Sequence, residues 1–403
     1  MRALPSKLEI ISIIAMLFAT IAFSIDAMLP ALPEIAETLT PQDVNRAQFV
    51  VTSFVFGMGV GTLITGPLSD WLGRKPVVLG GGCLYIIAAL IAAKSDSLEM
   101  LLVTRFVQGL GAAGPRVVSM AVLRDLFSGR EMARTISFVM IIFTMVPAIA
   151  PLFGSILIAW SGWPAVFWSF AIFAGISSLW FALRLPETLP VDKRRPFTAR
   201  SLWSATCDMF RNPVVRLSIV AQGFCFAILF SMVSMVQPVY DEVFGRADSF
   251  PYWFGGVAVL AGTSGFVNAT LVMRVGMRRL VSGILRAQML FSSVMLGSVI
   301  MGISGDAAFY TFVIWQTTVF FQVGLTLGNL NAIAMEPMGN IAGLAASIMG
   351  FIATVVAVLL AAPISLSFSG TITPLVLGIL TYTAFALITM LFMAKAERSH
   401  ASA

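Results

Sequence analysis

Along the chain, long apolar runs alternate with short clusters of charge, glycine and proline. A run of about 20 apolar residues is what one helical bilayer crossing needs, at about 1.5 Å rise per residue. Reading runs bounded by these clusters predicts twelve spans, at residues 8–29, 49–68, 77–93, 99–123, 135–160, 165–185, 214–238, 250–273, 280–303, 307–335, 341–363 and 371–394. The expected fold is therefore an all-α polytopic membrane protein.

One long polar connection, residues 186–213, divides the spans six and six. It predicts an N-terminal six-helix bundle at 1–185, a cytoplasmic linker at 186–213 and a C-terminal six-helix bundle at 214–403. A weak internal repeat supports this halving: Trp71-Leu72-Gly73-Arg74-Lys75, between spans 2 and 3, is echoed by Arg274-Val275-Gly276-Met277-Arg278 between spans 8 and 9. Two pseudo-symmetric halves around a midplane site follow as the expected architecture.

Composition narrows the class further. The 403 residues are 58% hydrophobic and only 11% charged, against about 25% charged in soluble domains, with a mean hydropathy of +0.94. The formal charge of +6 has no folded basic face to present it, which argues against nucleic acid as a partner. Its distribution gives it another meaning. Lys7, Arg74, Lys75, Arg124, Arg184, Lys193, Arg194, Arg278, Arg279 and Lys395 all fall in loops on one side, with Arg2, Arg130, Arg195 and Arg398. Only Arg46, Lys94 and Arg246 fall in loops on the other. Basic residues accumulate on the cytoplasmic face, so both termini are expected inside. The first run is too long for a signal-peptide core and reads as an uncleaved span. Cys83, Cys207 and Cys225 are scattered without metal-like spacing, and no metal or cofactor is expected.

Charges inside apolar runs are costly, about 2.5 to 3.5 kcal/mol at mid-membrane on insertion scales, and are functional candidates by default. Asp26, Arg105 and Arg116 are the clear cases. Asp26 near the end of span 1 and Arg105 near the start of span 4 are expected at similar depth, where a direct or water-mediated contact would offset the cost of both. Asp26 is read either as a wetted interfacial residue or as a proton site tuned by access and pairing. Arg105 is read as a partner in that coupling or as a brace bonding backbone carbonyls. Arg116, eleven residues beyond Arg105 and so on nearly the same helix face, either binds an anionic or carbonyl-bearing part of a substrate or snorkels to the cytoplasmic interface.

The turn between spans 2 and 3, Gly66-Pro67-Leu68-Ser69-Asp70-Trp71-Leu72-Gly73-Arg74-Lys75, resembles the signature loop of the major facilitator superfamily. Gly66, Leu68, Asp70, Gly73, Arg74 and Lys75 match, while Trp71 stands where the family usually has a basic residue. Arg105, Gln108, Gly109 and Gly111 resemble the family's second motif, whose arginine is linked to proton transfer. In span 5, Ala150-Pro151-Leu152-Phe153-Gly154-Ser155 resembles the antiporter motif of drug exporters, with Pro151 and Gly154 matching outright. A plain proline bend is the alternative reading of that segment. With Ser24-Ile25-Asp26, Gly73-Arg74-Lys75-Pro76 and Glu187-Thr188-Leu189-Pro190, the chain resembles the bicyclomycin and chloramphenicol resistance (Bcr/CflA) type of twelve-span drug:proton antiporter.

The resemblance implies the major facilitator fold and export of small amphipathic molecules in exchange for protons. Asp26 and Arg105 would then serve proton coupling, and Gly66, Asp70, Gly73, Arg74, Lys75, Pro151 and Gly154 conformational gating. The expected partners are a small-molecule substrate, protons and the lipid bilayer, with the protein acting as a monomer. Arg116 is outside the family pattern and leaves open a narrower anionic metabolite or siderophore; an uptake symporter or uniporter is the other alternative. Polar and aromatic residues inside spans are the candidate substrate contacts: Phe143, Gln222, Phe226, Gln237, Asn268 and Gln316, with Phe230, Gln322 and Asn329 behind them. Gly262-Thr263-Ser264-Gly265 matches an intramembrane serine protease tetrapeptide, but the chain's one histidine, His400, lies in the tail, so no catalytic residue is expected.

Overall fold

The computed structural model describes residues 5–194 and 198–401, so Arg2 and Arg195, counted above for orientation, lie outside the described residues. The side chains of Arg130, Arg398 and His400 lie outside them too.

Among the described residues twelve helices are long and apolar enough to cross a membrane. They are span 1 (Lys7–Leu39), span 2 (Val44–Leu72), span 3 (Arg74–Ala92), span 4 (Leu98–Leu126), span 5 (Arg134–Ser161), span 6 (Pro164–Arg184), span 7 (Pro213–Val243), span 8 (Ala247–Val275), span 9 (Met277–Ile300), span 10 (Gly305–Met338), span 11 (Gly343–Leu366) and span 12 (Thr373–Glu397). By contacts the chain divides into two compact units, Met1–Ala199 and Arg200–Ala403. The connection between spans 6 and 7 is not wholly irregular: it includes a helix at Ala199–Arg211.

The core of each unit draws on four spans in matching positions, and that of the first also takes in the buried Val139 of span 5. In the first, Ile13 and Ile14 of span 1, Val78 of span 3, Val122 of span 4 and Phe181 of span 6 pack together, fully or almost fully buried. In the second, Cys225 of span 7, Leu285 of span 9, Ile333 of span 10 and Ala386 of span 12 do the same. Spans 1, 3, 4 and 6 thus correspond to spans 7, 9, 10 and 12, as two six-helix repeats require.

Lipid tails are as apolar as leucine, so burial alone does not pull spans together; close packing of small residues does. Span 4 shows this on two sides. A β-carbon on Gly109 would collide with the carbonyl of Phe54, and one on Gly57 with that of Phe106, so the backbones of spans 2 and 4 touch. On the other side Gly111 faces Gly81 and Tyr85 of span 3, and Gly114 faces Val77.

Two boundaries differ from the sequence reading. Span 1 does not stop at Leu29: the chain continues through a short 3-10 turn, Leu29–Ala31, into a helix at Leu32–Leu39. Pro30 and Pro33 fall in the first turns of those segments, where no N–H is needed, so they redirect the chain without ending it. Nor is Gly66–Pro76 a loop. Span 2 stays helical through Pro67 to Leu72, and the reversal is made by one residue, Gly73, whose φ of +106° an L side chain rarely adopts.

Candidate functional site

Asp26 is the last residue of the helix Lys7–Asp26 and is 7% exposed. Its position follows from the sequence. Pro30 has no N–H to give to the carbonyl four residues back, so the hydrogen-bond ladder must fail at Asp26. The last helical bond runs from the Ala27 N–H to the carbonyl of Phe23 at 3.1 Å; the next carbonyl, that of Ser24, takes the Nη2 of Arg105 at 3.1 Å instead.

Arg105 is fully buried and its donors are largely engaged. Besides Ser24, its Nε donates to the carbonyl of Val50 at 3.0 Å and its Nη1 to Oε1 of Gln108 at 2.8 Å. Its guanidinium lies 4.4 Å from the centre of the Phe54 ring. It therefore ties the broken end of span 1 to span 2, a cation at the negative pole of a helix. Of the direct or water-mediated contact expected between Asp26 and Arg105, the direct form is not made, and neither residue takes part in an ion pair among the described residues. The physical reason is that the broken helix leaves an unpaired carbonyl at Ser24, and a planar guanidinium satisfies two carbonyls and an amide at once. Ser24 also shares a hydrogen bond between its hydroxyl and that of Tyr85, a buried residue of span 3 that no motif or charge singles out in the sequence.

Span 5 closes the other side of this turn. A β-carbon on Gly154 would collide with the carbonyl of Ala27, so Gly154 is what allows span 5 to lie against the residue after Asp26. Phe153 packs on Phe23 with ring centres 5.6 Å apart. Pro147 and Pro151 both lie inside one continuous helix, Gly129–Ser161. Asp26 is thus set in a turn held by span 4 through Ser24 and by span 5 through Ala27.

Arg116 is half-buried, and its polar contact is with the Sδ of Met58, at 3.7 Å. Of the remaining first-unit candidates, Phe143 packs edge-on against Phe18, ring centres 6.0 Å apart, at the margin of the core.

The cluster at Gly73 ties four spans at one end of the first unit. Arg74 bonds Asp70 at 2.5 Å and Ser69 at 2.8 Å within span 2, and Asp125 at the end of span 4 at 3.0 Å. Lys75 donates to the carbonyls of Ala182 and Leu185 at 2.6 and 2.8 Å, satisfying the end of span 6. Glu187, just beyond span 6, accepts the N–H groups of Arg74 and Lys75 at 2.9 and 3.0 Å, an acidic cap on the start of span 3. Gly66 lends its carbonyl to the Ser69 hydroxyl at 2.8 Å. The sequence does not single out Asp125, and it marks Glu187 only through the resemblance of Glu187-Thr188-Leu189-Pro190, without a role, because carboxylates beside a basic loop read as a solvated surface.

The second unit repeats this cluster. Gly276, with φ +82°, turns the chain between spans 8 and 9, and Arg278 pairs with Glu336 at 2.8 Å near the end of span 10 and with Glu397 at the end of span 12. Glu336 holds an arginine side chain from span 10 as Asp125 does from span 4, while Glu397 pairs with the guanidinium and not, as Glu187 does, with backbone N–H groups.

Most of the amides of the second unit are engaged with neighbouring side chains. Asn268 accepts from Asn329 at 2.7 Å, and Gln316 accepts from the buried Tyr240 hydroxyl at 3.0 Å. Gln237 reaches Asp241 at 3.4 Å, and Gln322 donates to Thr326 at 3.1 Å. Phe226 stacks on Phe230, centres 5.9 Å apart. Three buried amide atoms stay unpartnered: Oε1 of Gln222, Nε2 of Gln316 and Oε1 of Gln322. Among the described residues no group of side chains has the make-up of a metal site.

Comparison with known proteins agrees with this architecture. The family model described as Major Facilitator Superfamily matches residues 13–362. The chain is 30% identical over 334 residues to the bicyclomycin resistance protein homolog of Haemophilus influenzae, covering 81% of each chain. It is 27% identical over 329 residues to the multidrug resistance protein MdtL of Shigella dysenteriae, covering 81% of this chain and 80% of that one. Among solved structures, a D-xylose-proton symporter superposes with a TM-score of 0.77 at 13% identity, covering 96% of this chain and 97% of the other, a likeness of fold. With twelve spans in two matching six-helix units and a family match over most of its length, the chain belongs to the major facilitator superfamily and is a multi-pass membrane transporter.

Proposed function

We propose that this transporter exports small amphipathic, drug-like molecules from the cytoplasm in exchange for protons, by alternating access. It would do so as a monomer in the bacterial inner membrane with both termini cytoplasmic. The observation that carries the reading is the setting of Asp26: a buried carboxyl at a break in span 1, with no cation paired to it among the described residues. A broken transmembrane helix is where transporters of several folds hold their coupling ion. Ionised, Asp26 would be a buried charge without compensation, so its proton can be exchanged only when the turn is open to water or to a charged cargo. The similarity to proteins named for bicyclomycin and multidrug resistance supports drug-like cargo and the outward direction.

Arg105 would couple indirectly, by holding the Ser24 turn on which Asp26 rides. Pro151 and Gly154 would let spans 1 and 5 slide at Ala27. Gly66, Asp70, Gly73, Arg74 and Lys75 would latch one end of the first unit and release it during the cycle. Gln222 and Gln316, with unpartnered buried atoms, are the strongest second-unit candidates for cargo contact. Phe143, Phe226, Gln237 and Asn268 would act more through packing and shape.

The deciding experiment measures flux of chloramphenicol and ethidium in proteoliposomes with an imposed proton gradient. Wild type is expected to move them against the proton flow. Asp26→Asn is expected to lose gradient-driven movement while keeping exchange of cargo for cargo. Flux indifferent to the gradient in both proteins would make the protein a uniporter.

A further inference from the structure

The two arginines of span 4 are eleven residues apart, close to three full turns, and lie on nearly the same face of one helix. Their circumstances are opposite. Arg105 gives hydrogen bonds to two carbonyls and an amide oxygen, and lies over a phenylalanine ring. Arg116 has a thioether sulfur at 3.7 Å, a weak acceptor, and no carboxylate among the described residues pairs with it.

Depth makes this contrast meaningful. Met58 is midway along the 29-residue span 2, so the Arg116 guanidinium lies at mid-membrane level. Side chains on a helix lean toward its N-terminus. For Arg116, which lies in the C-terminal half of Leu98–Leu126, that lean runs toward the centre of the bilayer. Snorkelling to a headgroup would require the opposite direction. Arg116 as a whole is only partly buried, whereas Arg105 is fully buried.

A guanidinium keeps its charge, offers five donors in a planar fork and matches a carboxylate two bonds at a time. We propose that Arg116 is an anion subsite, and that the cargo class of this transporter includes amphipathic monocarboxylates, bound with the carboxylate on Arg116 at mid-membrane. This deepens the export reading and rests on it only for the cargo's later movement. Binding itself requires no proton coupling.

The test is equilibrium binding to the purified full-length protein, without any gradient, of matched pairs: nalidixate and its methyl ester, salicylate and methyl salicylate. The expected result is that at least one acid binds ten-fold or more tightly than its ester. Arg116→Gln is expected to erase that preference, and Arg116→Lys to keep a weaker one, since it retains the charge without the fork. Arg116→Met, without ligand, is expected to melt at or above the wild-type temperature, because removing an unpaired charge relieves a burial cost, whereas a structural arginine would lower it. Esters binding as tightly as acids, no acid binding at all, a preference that survives Arg116→Gln, or a lower melting temperature for Arg116→Met would each overturn the proposal. Asp26→Asn is expected to keep the acid preference, so loss of proton coupling and loss of the anion subsite are read separately.

Discussion

The Nη2 of Arg105 donates to the main-chain carbonyl of Ser24 at 3.1 Å, two residues before Asp26. An arginine from span 4 thus caps the helix on which the buried carboxyl sits. It holds the carboxyl's backbone, while among the described residues no cation pairs with the carboxyl itself. Removing it would strand the carbonyl of Ser24 in the interior, at about 1 to 3 kcal/mol for the unsatisfied group, and leave that of Val50 with only its bond inside span 2. Arg105→Ala is therefore expected to lower the melting temperature of the purified protein and to abolish driven transport. Arg105→Lys, a point donor in place of a fork, is expected to recover little of either. Full stability in Arg105→Lys would show that the charge alone suffices.

Gly154 offers a cleaner probe of the same turn, since its effect comes from volume alone. A methyl group there would meet the Ala27 carbonyl, which belongs to backbone and cannot swing aside, while a methyl group on Gly175 of span 6 would have no neighbouring atom within 4 Å. Gly154→Ala is expected to reduce transport at least ten-fold and to cost about 1 to 3 kcal/mol through overpacking. Gly175→Ala is expected to leave both unchanged. Matched behaviour of the two variants in a transport and melting comparison would contradict the close approach of spans 1 and 5.

The two charge clusters differ in burial, and that difference predicts an asymmetry. The Arg74 side chain is 10% exposed and bonds Ser69, Asp70 and Asp125; the Arg278 side chain is 39% exposed. Exposed pairs contribute about 0 to 1 kcal/mol, whereas hydrogen bonds to charged groups away from water contribute about 1.5 to 3 kcal/mol. Arg74→Gln is expected to cost about 2 to 3 kcal/mol and Arg278→Gln less than about 1 kcal/mol, by melting of the two variants. High salt is expected to narrow the gap little, because the larger effect is the buried one.

What the sequence made legible follows from how local each signal is. Twelve spans can be read because crossing a bilayer needs a long unbroken apolar run, and Asp26, Arg105 and Arg116 stand out because a charge in such a run is rare. The partner of Arg105 could not be read: it bonds main-chain carbonyls, and every residue has one. Glu187 was visible in the family resemblance, but its role was hidden for a related reason. Its capping of Arg74 and Lys75 joins positions more than a hundred residues apart. The Asn268 and Asn329 pair is equally invisible to spacing, being made across spans 8 and 10. Conversely, Pro30 and Pro33 looked like an end to span 1 because a proline in mid-helix is a breaker. Pro30 does break the ladder at Asp26, but each proline sits in the first turn of a new segment that resumes the span.

An anionic cargo changes how the membrane potential acts on export. Moving a monoanion outward and one proton inward carries two positive-charge equivalents toward the negative interior; a neutral cargo exchanged for one proton carries one. Each charge is worth about 2.3 kcal/mol per 100 mV, so the potential would contribute about 4.6 kcal/mol per 100 mV to export of an acid and about 2.3 kcal/mol to export of its ester. In proteoliposomes at a fixed pH gradient, with potentials set by potassium and valinomycin, the limiting accumulation ratio of nalidixate is expected to rise more steeply with potential than that of its methyl ester. The inside-negative sign should favour outward movement for both. Arg116→Lys keeps the cation that binds the anion and is expected to keep the steeper slope, while Arg116→Gln loses the anion and with it the difference. Equal slopes for acid and ester in the wild type would mean that the carboxylate crosses in its protonated, neutral form, and that Arg116 releases it before the halves exchange access.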